Sequence, residues 1–305
     1  MNLFIQGMRR SGTTILYDAL REDPELHCFY EPLREESETV GGGSGARADD
    51  AFAETRELRA RFRAQRYPDL PIELFNWGGP EDPVLELEPS LPEHCRELLR
   101  FLLDQGPAVA IKETRLWAKA GELAALDSGA VLVHVVRDPR GVASSTVLGR
   151  GQRHRERLRD PDLFFGDRKR RKLWSSRAIS ERLLKRTELR HVRRPSNVLR
   201  VLLVWRESFE RCWTEGRERF GERYVLIRNE DLRSRPQATL DGIYAVLGRE
   251  PPASVTEWAA NNVRAPELPF AADDPRWLEE IERGGLEEAI ASAGYSEILA
   301  ARLER

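Results

Sequence analysis

The stretch FIQGMRRSGTT, residues 4–14, places a short apolar strand, a glycine turn and a hydroxyl-rich helix start in direct succession. Gly7 and Gly12 keep the Gly-x4-Gly spacing of a phosphate-binding P-loop. In such a loop, successive backbone N–H groups and the helix N-terminus point at an anion. A strand that passes through a glycine turn into a helix is the first unit of an α/β fold, so this stretch predicts an α/β protein with an anion site.

Two later apolar runs predict the interior of a parallel sheet. AVAIK ends at Lys112, and AVLVHVV runs directly into Arg137 and Asp138. Near-continuous apolar runs suit strands that are buried on both faces, and Pro139 then begins a helix at once. Because strands alternate with helices, we expect one P-loop-like, three-layer α/β domain over residues 1–305, with a central parallel β-sheet flanked by helices.

Weaker patterns complete the expected order of elements. ELHCFYEP is predicted to be extended, residues 41–50 to form a mobile glycine-rich loop, and RYVLIRNEDL to be a further strand. A charged helix is expected in AETRELRARFRAQRY. Further helices are expected over about 92–104, 197–220, 236–247 and 278–305, and beyond residue 247 the last of these is the only one expected.

The loop lacks the lysine of an ATP-binding P-loop. That lysine follows the second glycine and reaches the β- and γ-phosphates, but here Thr13 occupies its position. The positive charge lies inside the loop instead, which suits a 5′-phosphate better than a triphosphate with its magnesium. The residues expected to bind the phosphate are Arg9, Arg10, Ser11, Gly12, Thr13 and Thr14. The competing interpretation is a capped glycine turn with solvated arginines.

VHVVRDPRGVASS supplies a second candidate phosphate site. Arg137 ends a buried strand, and Ser145 follows eight residues later, about two turns into the next helix. An arginine fork and a hydroxyl group at the carboxyl end of a parallel sheet can hold a phosphate. Alone this motif is not specific, because Arg-Asp-Pro also closes strands and caps helices.

Together the two motifs resemble the sulfotransferases that use 3′-phosphoadenosine 5′-phosphosulfate (PAPS). In that family an Arg/Lys-Ser-Gly-Thr-Thr/Ser loop binds the 5′-phosphosulfate, which carries over to residues 10–14. An Arg…Ser pair eight residues apart binds the 3′-phosphate, which carries over to Arg137 and Ser145. HCFYEPL, AIKETRL and RNEDL resemble further family segments in the same order. The likeness is closest to the carbohydrate, tyrosylprotein and bacterial branches.

Several positions depart from the family pattern. Asn229 stands where many relatives have tyrosine, and KETR offers Arg115 where the cytosolic branch has a histidine base. The glycine-rich C-terminal nucleotide loop of that branch is also missing from the sequence. The segments 36–95 and 151–195 have no match, so we expect them to be insertions that shape the acceptor site.

The resemblance implies transfer of the sulfuryl group from PAPS to a hydroxyl group, or less readily an amine, with the bisphosphate PAP as product and no metal. Arg10 and Lys112 would stabilise the transferring charge. Glu31 lies about where tyrosylprotein sulfotransferases keep their catalytic glutamate, and we expect it to be the base, with a pKa raised by partial burial. Glu113 is the alternative base, although neighbours on a strand face opposite sides. The competing function is a P-loop nucleotide kinase or NTPase.

Charge and composition restrict the partners. The net charge is −2, yet residues 151–194 carry sixteen Lys/Arg against six Asp/Glu. This basic segment is interpreted either as a lid that attracts an anionic saccharide or nucleoside acceptor or as a solvated face. Separately, Arg150 and Arg153 are candidates for an additional contact with the 3′-phosphate. A nucleic-acid partner is not expected. Three scattered cysteines and the lack of a membrane span or signal peptide indicate the cytoplasm, and the arginine bias indicates a GC-rich bacterium.

Overall fold

The computed structural model describes residues 1–34, 47–77, 82–149 and 151–300, and within them five strands form one sheet. The strands are β1 (Leu3–Gln6), β2 (His27–Tyr30), β3 (Val109–Lys112), β4 (Val131–Val136) and β5 (Tyr224–Arg228). Their order across the sheet is β2-β3-β1-β4-β5, and every neighbouring pair is parallel.

Helices surround this sheet on both faces. They are α1 (Thr13–Leu20), α2 (Arg47–Arg66), α3 (Glu93–Leu103), α4 (Ala120–Leu126), α5 (Pro139–Leu148), α6 (Gln152–Arg157), α7 (Pro161–Gly166), α8 (Ser176–Leu183), α9 (Asn197–Phe220), α10 (Asn229–Ser234), α11 (Pro236–Val246), α12 (Ala253–Asn262), α13 (Arg276–Gly284), α14 (Glu287–Ser292) and α15 (Glu297–Ala300).

The alternation of side chains along the strands creates two cores. In β1, Phe4 packs into one core, whereas Leu3 and Ile5 pack into the other. Helices α3, α5 and α9 cover the first core, and α1, α11 and α12 cover the second. The predicted three-layer α/β fold with a central parallel sheet is confirmed.

The register of the sheet brings the carboxyl ends of the strands to one edge. Tyr30 and Ile5 both pair with Lys112, and Gln6 pairs with His134 near the end of β4. The segments that follow β1, β2, β3 and β4 therefore start side by side. Every predicted site residue lies in or next to one of these segments, so the fold places them at the edge where α/β proteins bind ligands.

Two predicted elements end differently in the structure. Of the predicted loop 41–50, residues 41–46 lie outside the described part of the chain, and α2 begins at Arg47. RYVLIRNEDL is a strand only as far as Arg228, because Asn229 begins α10. Two acidic residues in the first turn of α10 favour that helix through its dipole.

The C-terminal region contains more helices than the sequence patterns indicate. Helix α12 was not predicted, and its packing against α1 and α11 accounts for its formation. The single helix predicted over 278–305 is wrong, because Gly285 and Gly294 adopt left-handed conformations with φ of 61° and 83° and separate α13, α14 and α15. Residues 301–305 lie outside the described part.

The long helix α9 fixes the end of β4 that carries a predicted phosphate ligand. Nε1 of Trp205 in α9 donates a 3.0 Å hydrogen bond to the backbone carbonyl oxygen of Arg137. Gly216 allows the close packing of α9 on the sheet, since a Cβ there would lie 2.5 Å from the ring of Tyr224 and 3.2 Å from Leu132. The position of Arg137 thus depends on how closely α9 approaches the sheet.

Gly216→Ala is expected to destabilise the protein by about 1–3 kcal/mol, because the added methyl group overpacks the contact with Tyr224. Gly242→Ala in α11 is the matched control, since nothing lies within 4 Å of a Cβ there, and it should stabilise by up to about 1 kcal/mol through helix propensity. Urea unfolding of both variants measures the difference, and equal stabilisation by both would contradict the close packing of α9.

Candidate active site

Two glycines shape the phosphate loop between β1 and α1. A Cβ on Gly7 would lie 2.4 Å from the carbonyl oxygen of Val135, so glycine lets the loop leave β1 in contact with β4. Gly12 has a φ of 95°, and a Cβ there would lie 1.8 Å from Nδ2 of Asn229. Arg10 also has a positive φ, of 77°. In a residue other than glycine this conformation carries backbone strain, and such strain tends to cluster at ligand sites.

The hydroxyl residues of the loop differ in exposure. Ser11 and Thr13 are buried, and the N–H of Ser11 donates to the carbonyl oxygen of Met8 at 3.0 Å. Thr14 is exposed and shares a 3.0 Å hydrogen bond with the hydroxyl group of Tyr30. Ser11 therefore closes the turn, whereas Thr13 and Thr14 line the cleft at the N-terminus of α1, where N–H groups lack intrahelical acceptors.

The two predicted phosphate motifs meet in the structure. Nε of Arg10 donates to Oγ of Ser145 at 2.7 Å, and an Nη atom of Arg137 donates to the backbone carbonyl oxygen of Arg10 at 3.3 Å. The guanidinium of Arg137 lies against Gly141, where a Cβ would be 2.9 Å from its Nε. Three residues predicted from two distant motifs are thus in contact, and the side chain of Arg10 reaches the second motif.

Helix α10 adds a cation that the sequence reasoning missed. Arg233 lines the same cleft as Arg137, and its Nε donates to Oδ1 of Asn229 at 3.0 Å. Burial lowers the pKa of Arg233, and the nearby charge of Arg137 lowers it further. When RNEDL is interpreted as a strand, Arg233 has no relation to the site. A helix that begins at Asn229 places Arg233 one turn later on the same side.

Arg9 is held by a buried carboxylate on the far side of the loop. Its two Nη atoms contact the carboxylate oxygens of Glu86 at 2.8 and 3.0 Å, and Glu86 is completely buried. Nε1 of Trp117 donates to the same carboxylate at 3.2 Å. Arg9 still lines the cleft, but this buried ion pair makes it a support for the loop. Its direct contact with a phosphate stays a prediction.

Glu31 and Lys112 form a buried ion pair where β2 and β3 end. Nζ of Lys112 donates to Oε1 of Glu31, which also accepts from Oγ1 of Thr114 at 3.4 Å. Arg34 contacts Oε2 of Glu31 at 3.3 Å. Nζ of Lys112 also lies 4.0 Å from the centroid of the Tyr30 ring. The carboxylate therefore has cations on both oxygens.

The pKa of Glu31 is lowered, so the expectation that it would be raised is wrong. Burial raises the pKa of this carboxyl group, but the charges of Lys112 and Arg34 outweigh burial and bring it to about 2. Burial lowers the pKa of Lys112, and Glu31 raises it by more, so the net direction is upward. Both groups are charged at neutral pH, and each compensates the other.

Glu113, the alternative base, lies behind the cleft. Only 1% of it is exposed, and its Oε1 accepts the backbone N–H of Leu33 at 2.8 Å. Its Oε2 is buried with no hydrogen-bond partner among the described residues. Burial raises the pKa of Glu113, and the charge of Glu31 adds to this, to give about 7. Glu113 does not line the cleft, so it supports the turn after Glu31 and does not face an acceptor.

A cleft of about 300 Å³ is lined by the phosphate loop, the Glu31–Lys112 ion pair, Arg137 and Arg233. Both predicted insertions contribute aromatic side chains to its wall, namely Phe52 of α2 and Trp174. Phe52 packs edge-on against Tyr30 with ring centroids 5.0 Å apart. Trp174 belongs to a short turn, Leu173–Ser175, in which all three residues have positive φ. This turn presents Trp174 to the cleft with 40% of the residue exposed.

The basic segment 151–194 forms a face largely outside this cleft. Among its described residues, Trp174 lines the cleft and no arginine or lysine does, Arg153 included. Arg150 lies outside the described residues. Some of the segment's arginines pair with carboxylates, such as Arg171 with Asp167 and Arg186 with Glu207. The segment therefore contributes an aromatic wall to the cleft and a salt-bridged outer surface.

The histidines take no part in the cleft. All five are described, and each has a hydrogen-bond partner elsewhere, such as His134 with the hydroxyl group of Tyr224 at 2.6 Å. In the described ranges, no group of three or more His, Cys, Asp or Glu side chains is placed to hold a metal ion.

Glu113→Gln is expected to change how stability depends on pH. Between pH 4.5 and about 7 the folded protein keeps the proton on Glu113 and the unfolded chain loses it, so raising the pH destabilises the folded state. Relative to Glu113→Gln, the wild type should lose up to about 3 kcal/mol of unfolding free energy across this window.

Urea unfolding at pH 5 and pH 8 tests this, with Glu218→Gln as the control because that carboxylate is exposed on α9. The control should leave the pH dependence of stability unchanged. A difference between wild type and Glu113→Gln that is the same at both pH values would contradict the buried, protonated state of Glu113.

In the part of the chain that the structure describes, no helix is long and apolar enough to span a membrane. Solved structures that resemble the chain include sulfotransferase STF9 from Mycobacterium avium, at 17% identity and a TM-score of 0.48 over 95% of this chain and 76% of that one. The sulfotransferase domain from the curacin biosynthetic pathway matches at 16% identity and a TM-score of 0.47, over 83% and 75% of the two chains. STF1 from Mycobacterium tuberculosis H37Rv matches at 13% identity and a TM-score of 0.45, over 93% and 76%. No curated protein matches the chain.

Residues 2–160 match the model of the sulfotransferase family, and this range includes β1 to β4, the loop, Glu31, Lys112 and the Arg137–Ser145 motif. The match spans 159 of the 305 residues, slightly more than half of the chain. The chain therefore belongs to the sulfotransferase family and is a sulfotransferase.

Proposed function

We propose that the enzyme transfers the sulfuryl group from PAPS to a hydroxyl group of a small-molecule or saccharide-type acceptor. The observation that carries this proposal is the meeting of three elements in one cleft: the phosphate loop, Arg137 of the second motif and the Glu31–Lys112 pair. Ser145 of the second motif contacts this group through Arg10. The first two elements suit the two phosphate-bearing ends of PAPS, and the third suits the reacting groups. An amine acceptor would use the same groups and is the less favoured variant.

The charges of the cleft support a donor with several negative charges. Arg115, Arg137 and Arg233 bind backbone carbonyl or side-chain amide oxygens, and no carboxylate of the described residues pairs with them. Partly buried guanidinium groups without a counter-charge favour the binding of an anion. When bound, PAPS would supply an activated sulfuryl group on its 5′-phosphate and a 3′-phosphate as a second anionic contact.

In this proposal the phosphate loop and the second motif each bind one phosphate-bearing end of PAPS. We assign the 5′-phosphosulfate to the N-terminus of α1 and the 3′-phosphate to the second motif. The residues assigned to the first are Arg9, Arg10, Ser11, Gly12, Thr13 and Thr14, and those assigned to the second are Arg137 and Ser145. Arg10 contacts Ser145, so its guanidinium can bridge the two subsites.

Lys112 and Arg10 are the cations assigned to the transfer step. Sulfuryl transfer resembles phosphoryl transfer, in which charge develops on the oxygens of the transferring group and on the leaving phosphate. Preorganised cations stabilise that charge most where water is excluded, and Lys112 is almost completely buried. No metal ion is required in this scheme.

Glu31 is assigned as the base that takes the proton of the acceptor. In the ion pair its pKa of about 2 makes it a weak base at neutral pH. If Nζ of Lys112 turns toward donor oxygens, Glu31 loses the cation that lowers its pKa most, and burial then raises the pKa. Lys112 thereby couples the binding of the donor to the activation of the base.

The wall around Glu31 supports an acceptor with a ring that can stack on aromatic side chains and with a negative charge. Tyr30, Phe52 and Trp174 supply aromatic surfaces, and Arg34 and Arg115 supply cations. Aromatic walls combined with a few placed charges are typical of sites for small molecules. A phosphorylated or acidic saccharide or nucleoside has both features.

A kinase or NTPase function has little support from the same residues. Thr13 replaces the P-loop lysine, and Asp138, the acid at the end of β4, accepts hydrogen bonds from the backbone and the guanidinium of Arg140. That carboxylate caps α5 and is already paired, so it is poorly placed to help hold magnesium.

Thermal unfolding with nucleotides tests the donor. Saturating 3′,5′-adenosine bisphosphate, at about a hundred times its Kd, should raise Tm by roughly 5 °C, because it binds only the folded protein. ATP with magnesium should raise Tm much less. A larger shift with ATP and magnesium would overturn the proposed function in favour of an NTP-dependent enzyme.

Two substitutions separate binding from chemistry. Arg137→Ala should weaken the affinity for 3′,5′-adenosine bisphosphate by about ten- to a hundredfold, because it removes a charge-assisted contact. Glu31→Gln should leave that affinity within about threefold and lower turnover of PAPS by about a hundredfold or more.

Calorimetry measures the affinities, and release of bisphosphate from PAPS with a panel of hydroxyl acceptors measures turnover. Arg219→Ala, an exposed arginine at the end of α9, is the control and should change neither. Loss of binding in Glu31→Gln equal to that in Arg137→Ala would mean that Glu31 is structural and is not the base.

A further inference from the structure

Two guanidinium groups from separate elements line the same cleft, and they lie near enough for the charge of one to lower the pKa of the other. Arg137 follows β4 and Arg233 lies on α10, and both line the cleft beside the phosphate loop. Among the described residues no carboxylate lies within ion-pair distance of either group. The acids whose charges still reach Arg233 are Glu230 and Glu267. Glu230 is occupied by the N–H of Asp138 and the hydroxyl group of Tyr295, and Glu267 is exposed.

Arg233 is held in place by neutral oxygen atoms. Its Nε donates to Oδ1 of Asn229 at 3.0 Å, and one Nη donates to the backbone carbonyl oxygen of Arg264 at 3.0 Å. Neither acceptor carries a formal charge, so the guanidinium is oriented but its charge is not neutralised. A rigid, half-buried arginine of this kind has already lost much of its side-chain entropy before a ligand arrives.

Asn229 connects this arginine to the phosphate loop. Its side chain is buried and packs directly on Gly12, where a Cβ would lie 1.8 Å from Nδ2. That Nδ2 has no hydrogen-bond partner among the described residues. The same amide therefore holds Arg233 through its oxygen and leaves a buried donor next to the loop.

We propose that Arg233 is a third ligand of the donor's 3′-phosphate, together with Arg137 and Ser145, and that it sets the preference for nucleotides that carry this phosphate. This inference rests on the proposed use of PAPS. A phosphate dianion between two guanidinium groups relieves their repulsion and gains two charge-assisted contacts. Asn229 acts as the positioning residue that keeps Arg233 in this cleft.

The test compares two nucleotides that differ only in the 3′-phosphate. The affinities of 3′,5′-adenosine bisphosphate and 5′-AMP are measured by calorimetry for wild type, Arg233→Gln and Arg233→Lys. In Arg233→Gln the bisphosphate should bind about ten- to a hundredfold more weakly, and 5′-AMP should change by less than about threefold. Arg233→Lys, which keeps the charge but loses the planar fork, should fall between wild type and Arg233→Gln.

Arg235→Gln is the matched control. Arg235 directly follows the last residue of α10, two residues after Arg233. It pairs with Asp231 at 2.8 Å and does not line the cleft. It should leave both affinities unchanged. Because the ratio of the two affinities is taken within one variant, partial unfolding of Arg233→Gln scales both values and leaves the ratio unaffected.

The outcomes separate the two proposals. If wild type binds the bisphosphate more tightly than 5′-AMP and Arg233→Gln keeps the same ratio, Arg233 is structural and this inference is overturned while the proposed function stands. Equal weakening of both nucleotides leads to the same conclusion. If wild type binds neither nucleotide, or binds them equally, both the inference and the use of PAPS are overturned.

Discussion

An excess of positive charge at the carboxyl edge of the sheet is the constraint on which the rest of the site depends. The parallel register brings cations from the loop, β3, β4 and α10 into one cleft, where they would repel one another without compensation. Three cations that line the cleft have carboxylate partners, Arg9 with Glu86 and both Lys112 and Arg34 with Glu31. Arg115, Arg137 and Arg233 are oriented by neutral oxygens. This division distinguishes cations that the fold already neutralises from cations that a ligand must neutralise.

The two carboxyl groups near Lys112 take different protonation states. Lys112 contacts Glu31 and lowers its pKa, whereas burial raises the pKa of Glu113 and the negative charge of Glu31 raises it further. Near neutral pH the carboxyl group in the cleft is thus ionised, and the one behind it is protonated for much of the time. When the environments of two carboxyl groups separate their pKa values in this way, the two groups can take different chemical roles. The ionised group can accept a proton, and the protonated group can be buried at low cost.

The sequence predicts the parts of this structure that are encoded locally. Buried strands appear as apolar runs, and both phosphate motifs follow strand ends directly, so their convergence could be expected. Short helices such as α10 and α12 depend on tertiary packing, so their local patterns are weak. For the same reason Arg233 and Glu86 were missed, since neither belongs to a local motif. The pKa of Glu31 was misjudged because burial can be inferred from neighbours in sequence, whereas its partner Lys112 is distant in the chain.

The asparagine at position 229 shows how a departure from the family pattern can be compatible with the same binding site. The contact between Asn229 and Gly12 leaves no room for a Cβ on the loop, and a tyrosine ring at position 229 would need the loop or α10 to move. The shorter side chain lets α10 approach the loop directly. Its amide oxygen then orients Arg233, which brings a guanidinium to the cleft that Arg137 also lines. Position 229 thus contributes to the cleft through the arginine that its side chain orients.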